Sequence, residues 1–175
     1  MKKILIAFCL LIFITQAAVA RPLSEAEVKE VKGDVMQMMT LFNKGDVRAI
    51  LERTYEPIYA LVGGNKKAYE EPLTQAAKQM LQSGIKFLDF QVGEPSEVYA
   101  ADKREVCFVP TVATMEYQGK KMKHTGFMLA VKTTGQSGWK YLAGDGISKH
   151  PEILKTLFPD LDANAKPPPI KMELL

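Results

Sequence analysis

The sequence is poor in the residues from which catalytic and metal centres are most often built: two cysteines, two histidines and one tryptophan in 175 residues. So few thiols exclude a disulfide framework, and two histidines leave little material for a metal centre or a bound cofactor. An excess of one charge sign is also lacking. Lys and Arg number 23 against 20 acids, and with Lys2 and Lys3 set aside residues 21–175 hold 21 bases against 20 acids, a formal charge of +1. A field that weak gives no general affinity for nucleic acid. Lys120, Lys121 and Lys123 read as a solvated hairpin tip. The chain contains no G-x-x-x-x-G-K, H-E-x-x-H, C-x-x-C or G-x-S-x-G. Asp160-Leu161-Asp162-Ala163-Asn164 copies the opening of a calcium loop, but Ala165 replaces the turn glycine and Lys171 the bidentate glutamate. Calcium binding of that type is rejected.

Long hydrophobic runs are confined to the first 20 residues. Lys2 and Lys3 precede an apolar stretch from Ile4 to Ile14, and Ala18-Val19-Ala20 matches an A-x-A cleavage site. The stretch is short for a membrane span of about 20 residues, and small residues follow it. Residues 1–20 are therefore expected to be a signal peptide. The mature chain would begin at Arg21, be exported to a periplasmic or extracellular compartment, and carry no membrane segment. Cys107 is then its single thiol and reads as a buried strand residue.

Residues 21–159 read as one α+β domain. Ser24 and Glu27 have the spacing of a capping box, and Val28, Val31, Val35, Met38 and Phe42 continue at helical spacing until Asn43-Lys44-Gly45. A short second helix follows Asp46, Pro57 interrupts the next segment, and Asn65 opens a third helix that runs to Ser83-Gly84. Beyond Gly84 the apolar period changes from about 3.6 to 2. Strands are expected over Ile85 to Val92, Glu97 to Ala101, Glu105 to Tyr117, Lys121 to Thr133 and Trp139 to Ala143, with short turns making them antiparallel neighbours. Two strands longer than about six residues imply a strongly bent sheet. Pro110 suggests a bulge or edge there. In Glu105 to Tyr117 both faces are apolar, so both need cover: the face away from the helices is expected to curl on itself, line a cavity or meet another subunit. Pro151 begins a short helix that Pro159 stops, and residues 160–175, with Pro167-Pro168-Pro169, lack periodicity and read as a flexible tail.

Helices followed by a long-stranded sheet, with Phe42-Asn43-Lys44-Gly45-Asp46 at the junction of the first two helices and Gly138-Trp139-Lys140-Tyr141-Leu142 as a late strand ending at Gly144, resemble the nuclear transport factor two-like (cystatin-like, SnoaL-like) superfamily. The similarity covers roughly residues 25–146. It implies a cone-shaped α+β barrel. The family's usual strand between the second and third helices is at most a stub here, at Tyr59 to Val62. The resemblance also implies where chemistry would sit, because enzymes of this family use a cavity-facing Asp or a His/Asp pair for proton transfer beside a carbonyl.

Two residues suit that role. Asp89 shares an alternating face with Ile85, Phe87 and Gln91, and His124 shares one with Met122, Gly126, Met128 and Ala130. Both parities reverse with a single bulge. Tyr59, Tyr69, Trp139 and Tyr141, together with Tyr55, offer apolar rings with polar tips for a ligand pocket, although ordinary core packing accounts for most of them. The set expected to touch a ligand is therefore Tyr59, Tyr69, Asp89, His124, Trp139 and Tyr141. No catalytic constellation stands out. The sequence thus favours an exported, non-catalytic domain that holds a small apolar ligand, or that pairs with a second copy or a partner protein. An isomerase, dehydratase or cyclase using Asp89 or His124 as general base, and an immunity or inhibitor protein, are the alternatives.

Overall fold

A computed structural model describes residues 20–175. The expected signal peptide therefore lies, apart from Ala20, outside the described residues. Helix α1, Glu25–Phe42, starts where its cap predicts: Ser24 accepts from the Glu27 backbone N–H while the Glu27 carboxylate accepts from Ser24 N. Helix α2, Arg48–Arg53, is followed by a 3-10 helix, Glu56–Leu61, in place of the strand stub. Asn65 caps α3, Lys66–Gln82, by accepting from Ala68 N at 2.9 Å. Pro72 lies inside α3 and removes one helical hydrogen bond.

The sheet has six antiparallel strands: β1 Lys86–Val92, β2 Tyr99–Ala101, β3 Arg104–Tyr117, β4 Lys120–Thr133, β5 Lys140–Ala143 and β6 Lys171–Leu174. It does not close. The hairpin of β3 and β4, each 14 residues long, forms its centre. One edge of that hairpin is shared end to end by β1 and β2, and the other by β5 and β6. Thus β1 and β2 are not a hairpin with each other, as the short turn between them suggested; both pair with β3.

Pro110 is not at a bulge. It sits in β3 between the parts covered by β1 and β2, and its carbonyl accepts from Gly93 N at 2.8 Å. Nitrogen and carbonyl of a strand residue point to the same edge, so the missing N–H falls into that gap and costs no bond to β4. The bulge lies instead in β1, between Phe87 and Asp89.

Both faces of β3 are covered, as its double apolar pattern requires. Val31, Val35 and Met38 of α1 pack on Cys107, Val109, Ala130 and Tyr141. On the opposite face Val106, Phe108, Leu129 and Leu142 meet Tyr55, Ile58, Leu157 and Phe158. The cover for the second face therefore comes from this chain's own residues: the 3-10 helix, α4 (Gly144–Lys149) and α5 (Pro151–Leu157). The segment beyond Pro159 is not left without structure. Residues 171–174 form β6 against Thr125 to Met122, filling the stretch of β4 edge that β5 does not reach. All four β6 side chains are exposed, so backbone hydrogen bonds hold the strand and side-chain periodicity gave no sign of it. Among the described residues no helix is long and apolar enough to cross a membrane.

Candidate functional site

Strand alternation decides which side chains face α1. The ladder pairs Thr111 with Gly126, Ala113 with His124 and Met115 with Met122, so these residues share the face that also carries Cys107 and Val109. Around Cys107, Val109 and Ala130 this face is packed against Val31, Val35 and Met38 of α1. Nearer the β3/β4 turn a cavity of about 290 Å³ lies between the helices and the sheet. Val35, Met38, Met39 and Phe42 of α1, Tyr69 and Leu73 of α3, Phe87 and Phe90 of β1, and Met115 and Met128 of the central hairpin supply its apolar wall. Thr54, Thr111, Tyr69, Tyr141, His124 and Asp145 are its polar members.

The β1 bulge determines which residues of that strand belong to the site. Phe87 pairs with Met115 and Phe90 with Ala113, so both rings enter the cavity although they are three residues apart. Asp89 pairs with Thr114 and turns to the opposite face, where its carboxylate accepts from the Gln91 amide at 2.7 Å. The expectation that Asp89 lines the cavity is corrected: the extra residue at Leu88 reverses the alternation.

His124 does reach the cavity. Its ring is 21% exposed, and Nε2 lies 3.2 Å from Asp145 Oδ1, the carboxylate being 53% exposed. The pair therefore marks the solvent side, while Val35, Met38, Ala113 and Tyr141 form the deep side. Gly144 makes this pairing possible. A Cβ there would lie 2.5 Å from the Phe127 carbonyl oxygen and 2.7 Å from its ring, so only glycine lets the chain leaving β5 fold so closely over β4.

Tyr141 contributes its ring to the deep wall, and its hydroxyl donates to Asp34 Oδ2 at 2.9 Å. Arg53 Nε donates to the other oxygen of that carboxylate at 3.3 Å. Burial, reinforced by the Asp34 charge, pushes the Tyr141 hydroxyl well above the ordinary phenol range, so it stays protonated and donates. Burial likewise raises the Tyr69 hydroxyl.

No family model, curated protein or solved structure matches this chain.

Of the residues singled out in the sequence, Tyr69, His124 and Tyr141 come together around the cavity. Trp139 is buried against α1 behind the cavity wall. Tyr59 supports the Tyr69 ring from behind, with centroids 5.5 Å apart, and its hydroxyl points to the Leu51 carbonyl. Sequence reasoning missed Thr111, whose parity with Val109 and Ala113 would have found it, and Asp145, which reads there only as part of a turn. Among the described residues no group of three or more Cys, His, Asp or Glu side chains is arranged to hold a metal ion.

Proposed function

We propose that this protein binds a small, mainly apolar ligand in the cavity between α1, α3 and the sheet, without transforming it. The observation that carries this reading is the cavity itself: about 290 Å³ of space with an aromatic and methionine wall and a polar pair at one end. Ligand sites typically combine an apolar concavity with a few converging polar groups, and this volume stands at their small end. Methionine walls adapt to ligand shape at little cost. On this reading the bent sheet and the helices form an open cone, the scaffold implied by the superfamily resemblance, and the ligand is met in an exported compartment.

Native mass spectrometry of the protein isolated from the compartment in which it accumulates tests the reading. A retained small molecule that disappears in Leu73→Trp, which fills the cavity from the half-buried face of α3, supports it. An empty protein with no thermal stabilisation by any apolar compound opposes it.

A second reading, proton transfer next to a carbonyl, draws on the contact between His124 and Asp145, an imidazole oriented by a carboxylate at a cavity wall. It assigns the base to His124 and gives Asp89 no part. Deuterium exchange into a small enolisable ketone, followed by NMR, should then depend on the protein and vanish in His124→Ala.

A further inference from the structure

We infer that the free edge of β6 pairs with β6 of a second copy of this chain, so that two sheets join across a twofold axis at Met172. The contact does not depend on what the cavity holds. β6 is bonded to β4 on one side, and among the described residues no strand takes its other side. Leu175 N donates to the Lys121 carbonyl at 2.9 Å. Main-chain groups of successive strand residues point to alternate sides, so Glu173 and Lys171 also bond towards β4, while N–H and C=O of Met172 and Leu174 point outward. An edge with free donors and acceptors is a template for another strand. Neither a register shift nor a proline interrupts this one.

The side chains favour a second copy over an unrelated strand, because Lys171-Met172-Glu173 is self-complementary in an antiparallel pair. With the axis at Met172, Lys171 of each copy stands directly opposite Glu173 of the other, at the non-hydrogen-bonded positions where side chains come closest. Moving the axis to Lys171 or to Glu173 sets like charges against each other, which is unfavourable. Among the described residues neither Lys171 nor Glu173 forms an ion pair within the chain, so both charges are open to this contact. Exposed pairs of this kind add little affinity, but they fix register and partner. Met172 and Leu174, 58% and 69% exposed, lie on the other face of the strand, where each Met172 meets its symmetry mate and has Leu174 of the other copy diagonally beside it. Pro167-Pro168-Pro169 limits the pairing just before β6. So short an interface falls below the roughly 1,000 Å² of a stable one, and a Kd on the order of 100 μM is expected.

Sedimentation equilibrium of residues 21–175 between about 10 μM and 1 mM tests this contact. Lys171→Glu, at a position that faces only Thr125 within the chain, places a carboxylate opposite Glu173 of the other copy and should raise the Kd about tenfold. Met172→Pro removes the outward N–H and no bond to β4, with a similar loss. Glu173→Lys should weaken association as well, while its equimolar mixture with Lys171→Glu, in which opposite charges face each other again, should return to within about threefold of the parent Kd. An NOE between the α-protons at positions 172 and 124, a facing pair of the β4/β6 ladder, reports that β6 is still in place. If Glu173→Lys, which faces Lys123, releases the strand, the other two variants decide. A parent protein that stays monomeric at about 1 mM overturns the inference. So does a dimer whose Kd is unchanged in Lys171→Glu and Met172→Pro while the NOE persists, because its contact lies elsewhere. Either result leaves the cavity reading untouched.

Discussion

Tyr141 and Asp34, 107 positions apart, are joined by a hydrogen bond of 2.9 Å that ties β5 to α1 across the deep end of the cavity. Arg53 holds the same carboxylate from α2, so three elements converge on one side chain. Tyr141→Phe keeps the ring and removes the donor. With Asp34 still bound to Arg53 and partly hydrated, the expected loss is about 1–2 kcal/mol, a fall in Tm of roughly 2–8 °C for a chain of this size. Chemical and thermal denaturation measure it directly.

At the other end of α1, Arg21 donates to both oxygens of Glu27, each at 3.0 Å, and to both oxygens of Glu105 at 2.8 and 2.9 Å. Hydrogen bonds from Arg21 hold the Glu27 carboxyl well below the ordinary range, with Ser24 and Lys132 adding to the effect against the cost of burial. A carboxyl lowered on folding contributes stability that is fully present above its unfolded value, near 4.3, and fades as the pH falls from there towards the folded value. The Tm of the protein should therefore exceed that of Glu27→Gln at pH 7, and the gap should narrow between about pH 5 and pH 2. A gap that stays constant through that window would show that the charge of Glu27 is not what the clamp uses.

Two glycines should respond to the same substitution with opposite signs. Gly33 is exposed in the middle of α1, and a Cβ there meets nothing within 4 Å. Gly33→Ala is expected to stabilise by about 0.5–1 kcal/mol through helix propensity and a less flexible unfolded chain. Gly144→Ala must push the Phe127 backbone and ring aside, at a cost of about 1–3 kcal/mol, and should also loosen the contact between His124 and Asp145. Urea midpoints of the two variants on either side of the parent protein are the expected result.

Cys107 is fully buried in β3, and burial, with a further push from the Glu27 charge, raises its thiol to about 12. The native protein should resist modification of Cys107 by thiol-specific reagents at pH 8 for as long as it remains folded, and peptide mass spectrometry should find Cys107 modified only in denaturant. Fast labelling of the native state would show that β3 opens locally.

Much of the architecture was legible in residue order because local rules govern it. The capping box at Ser24 and Glu27, the Asn65 cap and the change of period after Gly84 are consequences of backbone hydrogen bonding and of which side chains share a face. They placed α1, α3 and five strands close to their observed bounds. The double apolar pattern of β3 likewise stated that both of its faces are covered, though not by what.

The site was legible only in fragments, because it depends on where distant segments meet. Phe87 and Phe90 join the cavity, and Asp89 leaves it, through one inserted residue that no periodicity reveals. Asp145 reaches His124 because the chain folds back over Phe127 at Gly144, a close approach whose reason is the volume of a side chain 17 positions earlier. β6 pairs with β4 through main-chain groups alone, which every sequence possesses. The order of amino acids thus determined helices, strands and their inward faces, since these follow from steric and hydrogen-bonding preferences over a few residues. Register, bulge and crossing decided which polar atoms surround the cavity, since those arise from packing between segments far apart in the chain.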